Sequence, residues 1–379
     1  MKTNKILIAP NSFKECADSV TIAELIKKNL SLIKETELIT KPISDGGDGF
    51  LNVCKFYFGG DLRKYSISTP YDESKFECPV LYTESRKEIY IESAEVLGLK
   101  VVPTSHRNPL KLSSKGLGEL LLTIEEEIRN GKIDVDKVYI GIGGTATIDM
   151  GIGMMAELGL MLLNSDSKEL NVIPENFHIV QKFEYNLTEF SFQILPIVDV
   201  KNHLLGAGGG IQVFGKQKGA SKETISNLEK SFNHLVNLFE YNGLSISSDK
   251  LLGAGGGIPA ALQIFHKVSI MYSSEFINYQ LGIAKYQNSV SYLITGEGAY
   301  DYQSNLGKGA GILIEMFSPL MKQIFLVCGR ISNNGITRLP KNVIPLELNK
   351  YFQNQKNSII NYQEGLKKAC GEIIKELNF

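Results

Sequence analysis

The chain has 379 residues, 43% hydrophobic and 21% charged, with 40 lysines and arginines against 41 acids and a formal net charge of -1. That length predicts two α/β-sized domains, each able to bury a core. The even charge balance excludes a global attraction to nucleic acid or to an anionic membrane, so any bound anion needs a local site.

The start, MKTNKILIAPNSF, has too short an apolar run for a signal peptide, and no stretch approaches the ~18 apolar residues of a membrane span. The expectation is a cytoplasmic protein. Cys16, Cys54, Cys78, Cys328 and Cys370 are scattered without a CxxC pair, which argues against a zinc site and a disulfide framework.

KILIA (5–9) suits a buried parallel strand. A helix follows, with Thr21 and Glu24 in capping-box spacing and Ile22, Ile26, Leu30 and Ile33 on one face. LITKPIS (38–44) returns as a strand and runs into DGGDG (45–49), which completes a βαβ unit. From 62 to 93 the runs YSIST, CPVLY and EIYIES, separated by short turn-forming stretches, predict antiparallel hairpins. Leu117, Leu121, Ile124 and Ile128 then mark a helix that stops near Gly131, and KVYIGI follows as a strand. QILPIVDV (193–200) reads as a strand and residues 221–241 as a helix carrying Ile225, Leu228, Phe232 and Leu235. The last ninety residues return to βα alternation: SYLIT, a helix near 309–321, IFLVC, NVIPLEL, and a final helix with Leu366, Ala369, Ile373 and Leu377.

Parallel strands at both ends of the chain most simply share one sheet. The predicted fold is therefore α/β with two domains: a discontinuous Rossmann/flavodoxin-like domain, 1–67 plus 288–379, and an inserted mixed α/β domain, 68–287.

The chemistry is carried by loops. Many of the 36 glycines cluster in DGGDG, GIGGTATIDMGIG (141–153), GAGGG at 206–210 and again at 253–257, GEG (296–298) and GKGAG (307–311). Glycine lets the backbone turn its N–H groups toward a polyanion at the end of a strand. Asp45, Asp48, Asp149, Asp199, Glu297 and Asp301 lie in or beside these loops with Lys14, Lys218 and Lys308. Carboxylates can hold magnesium or take a hydroxyl proton, and lysines can neutralise a transferring phosphoryl group. Together they point to a phosphate-rich ligand.

Other plans fit less well. The pair Gly307-Lys308 lacks the preceding glycine and following Ser or Thr of a P-loop. GIGGTA (141–146) matches a dinucleotide-binding turn after a strand, which keeps a nicotinamide-dependent dehydrogenase as the least favoured reading, with only Asp166 as its acidic partner. The five histidines show no paired metal spacing, GxSxG is absent, and Lys216 and Lys218 lack the interleaved aromatics of a nucleic-acid surface.

The blocks IAPNSFKE (8–15), SDGGDG (44–49), RNPL (107–110), GIGGTATIDMGIGM (141–154), VDVKN (198–202), VFGKQKGA (213–220), LGAGGG (252–257) and TGEGAYDYQSNLGKG (295–309) resemble, in order, those of the bacterial glycerate kinase family. The resemblance implies ATP-dependent phosphorylation of D-glycerate to 2- or 3-phosphoglycerate with magnesium, in a cleft between two domains. Its small-molecule substrate leaves no role for nucleic acid or membrane, and a homodimer is compatible with it. Carried onto these blocks, residue chemistry makes Asp45 and Asp199 the candidates for base or magnesium ligand. Lys14 and Lys308 would face phosphate, and Ser12, Arg107, Asn108 and Asp149 would meet the substrate. Gly143, Gly144, Thr145, Glu297 and Asp301 join Lys308 as candidate nucleotide contacts.

The chain also departs from the family's usual residues. Asn11 stands where aspartate is usual and Glu15 where glycine is. Thr145 replaces serine, Ile148 replaces asparagine, KLSSKG follows RNPL, LGAGGGIPAAL is shorter than its counterpart, and Ala310 stands near a usual proline. These changes fall mainly in ligand loops, so a kinase for another small hydroxy acid, or a non-catalytic ligand-binding relative, stays open beside glycerate kinase.

Overall fold

The structure, a computed structural model, describes residues 4–31, 33, 35–244, 250–304 and 308–377. Gly307 of the GKGAG loop lies outside them. The chain divides into two compact units, Met1–Tyr57 with Tyr272–Phe379, and Phe58–Met271.

In chain order the strands are β1 (Asn4–Ile8), β2 (Thr36–Thr40), β3 (Asp61–Ser68), β4 (Lys75–Thr83), β5 (Glu88–Glu92), β6 (Lys137–Ile142), β7 (Leu160–Leu163), β8 (Lys182–Tyr185), β9 (Gln193–Val198), β10 (Met271–Tyr272), β11 (Tyr292–Tyr300), β12 (Gln323–Ile331) and β13 (Val343–Glu347).

The first unit holds a sheet in the order β13-β12-β11-β1-β2, with its strands paired in parallel. Ile6, Leu7 and Ile8 are consecutive and wholly buried, as a strand covered on both faces requires. The helix Ser19–Leu30 packs Ile22, Ala23, Ile26 and Leu30 into a core with Ile6, Ile8 and Phe325. Leu366, Ala369 and Ile373 of the helix Tyr362–Glu376 close the same core. This is the flavodoxin-like winding the alternation predicts. Its one local correction is the first helix cap: the Asp18 carboxylate accepts the Thr21 N–H at 2.8 Å, so the helix starts two residues before Thr21 and the Thr21/Glu24 box is not used.

From β1 the chain crosses to β2 on one side, while β11 joins β1 on the other. The connections leaving β1 and β11 therefore part, which opens a crevice at the carboxyl ends of these two strands.

The second unit has a sheet ordered β10-β9-β6-β5-β4-β3. The hairpins predicted over 62–93 are the antiparallel pairs β3–β4 and β4–β5, while β5–β6 and β6–β9 are parallel. The hairpin β7–β8 is an addition to the predicted elements. Strand β3, which the sequence assigns to the outer domain as far as residue 67, pairs with β4 along its whole length, from Asp61 opposite Tyr82 to Ser68 opposite Lys75. That ladder draws it into the second unit. Residues 272–287, expected in the insert, fall in the first unit: the Ser273 hydroxyl donates to the Asp45 carbonyl at 2.6 Å, and the Phe276 ring meets Phe50 at 5.4 Å.

Candidate active site

At the crevice of the first unit, Asn11 follows β1, Asp45 follows β2 and Glu297 lies near the end of β11. Asn11 Nδ2 donates to Asp45 Oδ2 at 3.0 Å, and Asn11 Oδ1 accepts the Ser12 N–H at 2.8 Å. Both ends of the amide are thus committed, which fixes its orientation and that of the Asp45 carboxylate. Asp45 Oδ1 also accepts the Gly47 N–H at 3.3 Å.

Glu297 is buried, and its Oε1 has no hydrogen-bond partner among the described residues. Burial pushes its carboxyl up to about 8; a hydrogen bond from Ser304 opposes this, Asp45 adds to it, Lys308 opposes it and Asp301 adds to it. Gly309 closes over this group in a left-handed conformation, φ 52°. A Cβ there would lie 2.3 Å from Glu297 Oε2 and 3.1 Å from Asn11 Nδ2, so only glycine fits. Asn11, Asp45, Glu297 and Gly309 therefore form one packed polar cluster.

The remaining candidates of this unit surround it less tightly. Lys14 is exposed and pairs with Asp48 at 3.7 Å. The half-exposed Ser12 holds the β11 end by accepting the Gly298 N–H on its carbonyl at 3.3 Å. Asp301 is exposed, with Oδ1 accepting the Gln303 N–H at 2.8 Å, and Lys308 is half-buried.

In the second unit the loop 143–151 joins β6 to the short helix Ile152–Glu157. The dinucleotide fingerprint fails here, because no helix opens at the turn for a pyrophosphate to sit on. Gly143 also differs from expectation. Its N–H, on a candidate nucleotide contact, donates to Ser93 Oγ at 3.0 Å, and Ser93 Oγ returns a bond to the Gly143 carbonyl at 2.9 Å. Gly144 at the tip is exposed, with φ 66°.

Asp149 was expected to meet substrate, but its side chain is wholly buried. Asp149 Oδ2 accepts the Ser114 N–H and hydroxyl at 2.6 Å each and the Gly153 N–H at 3.2 Å, while Oδ1 accepts the Gly151 N–H at 3.2 Å. It is a structural anion that ties the loop to the start of the helix Lys115–Arg129. Burial pushes its carboxyl up, against the Ser114 hydrogen bonds.

Arg107 is exposed, but Nε donates to the Val102 carbonyl at 3.1 Å and Nη2 to the Leu99 carbonyl at 2.9 Å. That edge of the fork is spent on its own loop, leaving Nη1 for a ligand. Asn108 Oδ1 accepts the Leu110 N–H at 3.1 Å and so shapes the same turn. Asp199 follows β9 directly and is half-buried.

The site candidates omit Lys218 of VFGKQKGA. Its ammonium is buried and donates to Thr145 Oγ1 at 2.9 Å and to the Thr147 carbonyl at 3.0 Å. Its place beside a glycine loop was legible in the sequence; its burial was not.

The profile of the glycerate kinase family matches residues 6–378. The chain belongs to the glycerate kinase family. It is thus an enzyme of the phosphotransferase class, as its motif blocks imply. It is 30% identical over 335 residues to a glycerate kinase of Neisseria meningitidis serogroup B, covering 86% of each chain. It is also 30% identical over 310 residues to the glycerate 2-kinase of Escherichia coli K12, covering 80% of this chain and 79% of that one. A crystal structure described as that of a candidate glycerate kinase 2 from Salmonella typhimurium LT2 superposes with a TM-score of 0.76 at 25% identity, covering 99% of this chain and 98% of that one. Among the described residues no helix is long and apolar enough to cross a membrane.

Proposed function

We propose that this family member transfers the γ-phosphoryl group of ATP to a hydroxyl of D-glycerate, giving 2- or 3-phosphoglycerate, in the cytoplasm. The observation that carries the reading is the Asn11–Asp45 contact: a carboxylate fixed by an amide whose own orientation is fixed, at the carboxyl ends of parallel strands where such folds bind ligands.

Asp45 takes the proton of the attacking hydroxyl as its oxygen bonds to the γ-phosphorus and the β–γ bridging oxygen leaves with its electron pair on ADP. Lys14 and Lys308 face phosphate oxygens, Gly144 and Thr145 contact the nucleotide, and Asp301 helps to position it. Glu297, neutral near pH 7, donates a hydrogen bond where a second carboxylate would repel the nucleotide. The Nη1 edge of Arg107 meets the glycerate carboxylate, and Ser12 and Asn108 are further substrate contacts.

Among the described residues no group of three or more His, Cys, Asp or Glu could hold a metal ion. Magnesium arriving on a nucleotide would take only one or two carboxylates beside phosphate oxygens and water. Asp199 would hold it there. Magnesium, when bound, offsets the charge that builds on the phosphates.

The test is ADP formation by the purified protein with magnesium, ATP and D-glycerate, the product's phosphate position being read by phosphorus NMR. Turnover lost in Asp45→Asn supports the reading. Stabilisation by ATP without turnover on D-glycerate, but with turnover on another acid of a hydroxy-acid panel, replaces the substrate. No turnover across the panel makes the protein a ligand-binding relative.

A further inference from the structure

Lys218 and Thr145 form a two-residue device, and no role above accounts for Lys218. An ammonium group has three donors and no lone pair. Since Lys218 Nζ donates to Thr145 Oγ1 at 2.9 Å, that oxygen is an acceptor in the pair. The one proton of the Thr145 hydroxyl must then point elsewhere. Thr145 is 3% exposed, and among the described residues its hydroxyl meets only Lys218. The result is a buried, oriented O–H with no acceptor among the described residues, on the residue that follows the exposed Gly144. A buried donor left unpaired is costly, and such a cost is tolerated where a ligand supplies the missing partner.

Two further features point the same way. Lys218 has spent two of its three N–H groups, the second on the Thr147 carbonyl at 3.0 Å, and it lines a small cavity with Ile148, Gly210, Gly253 and Gly256. The Thr147 hydroxyl is also buried without a partner. The charged group facing Lys218 is Asp149, itself saturated by Ser114, Gly151 and Gly153, so the ammonium is held as a donor and not consumed by an ion pair.

We propose that Lys218 is a positioning residue that sets Thr145 as an obligate hydrogen-bond donor to an anionic ligand oxygen, phosphoryl or carboxylate. The inference rests on the kinase reading only for the identity of the ligand. It also carries a pH signature. Burial pushes the Lys218 ammonium down to about 7, with Asp149 opposing. Once deprotonated, Nζ has a lone pair, can accept the Thr145 proton, and so turns the donor away from the ligand.

Calorimetric binding to the full chain tests this with three probes: a magnesium-loaded non-hydrolysable ATP analogue, D-glycerate, and glycerol as an alcohol without the carboxylate. Thr145→Val should weaken either the ATP analogue or D-glycerate by roughly 10- to 100-fold, the cost of one charge-assisted hydrogen bond, and leave the other unchanged. Loss on the analogue assigns a phosphoryl oxygen. Loss on D-glycerate, with glycerol binding alike in both proteins, assigns the carboxylate. Thr145→Ser should retain affinity, and Lys218→Met combined with Thr145→Val should bind no more weakly than Thr145→Val alone. Wild-type affinity for that ligand should fall between pH 6.5 and 8.5, and Thr145→Val should abolish the fall. A Thr145→Val protein that binds both ligands like wild type, or that keeps the pH slope, overturns the proposal. So does a wild-type protein that binds neither. Normal binding without ADP formation sinks the kinase reading and leaves this inference standing.

Discussion

Asn11 gives an amide hydrogen to Asp45 across 3.0 Å. A carboxylate there would face Asp45 at hydrogen-bond distance, and two such groups cannot both ionise freely. Asn11→Asp should therefore bind one shared proton to higher pH, moving the acid limb of the kcat profile upward by about 1 to 2 pH units. A pH–rate series from 5 to 9 checks this; an unmoved limb would mean that Asp45 is not the base.

Glu297 makes a separate pH prediction. Its folded value, about 8, lies above its ordinary value of 4.5, so between these pH values the native state holds a proton that the unfolded chain has released. Stability from this group is full below pH 4.5 and is lost as pH rises toward 8. Glu297→Gln should remove that loss, making the variant more stable than wild type at pH 8 by on the order of 4 kcal/mol and within about 1 kcal/mol of it at pH 5. Urea unfolding at the two pH values reads the difference.

Asp149→Ala should act on folding before activity. It strips the acceptor from four donors, three of them backbone N–H groups, in a site with no water access. The expected cost is about 3 to 5 kcal/mol, seen as a lower urea midpoint. A substrate contact would instead raise KM for glycerate with the midpoint unchanged.

Lys14→Ala should do the reverse. The side chain is 67% exposed and its pairing with Asp48 at 3.7 Å is that of a surface ion pair. Stability should change by less than about 0.5 kcal/mol, while kcat/KM for ATP should fall at least roughly 10-fold if the ammonium faces phosphate. Equal losses in both measurements would make it a structural lysine.

Much of the fold was legible because it depends on local patterns. In KILIA the four residues after Lys5 are all apolar because both faces are covered, and the helices around Ile22 and Leu366 repeat their apolar residues at helical spacing because they cover that sheet. The motif blocks also placed Asp45, Glu297 and the loop at 141–153 at strand ends, where a parallel sheet presents ligands. What spacing along the chain cannot report is the direction in which a polar side chain points. Asp149 and Glu297 are both acids in glycine-rich stretches, yet one is saturated by four donors and the other is left with a bare oxygen. Lys216 and Lys218 lie two residues apart, and only the second is buried. Composition, periodicity and motif order thus determined the family and the layers, since those follow from which residues must leave water. The partners of Asp149, Gly143 and Lys218 were decided by tertiary structure, because which partners a polar group has depends on how distant segments pack.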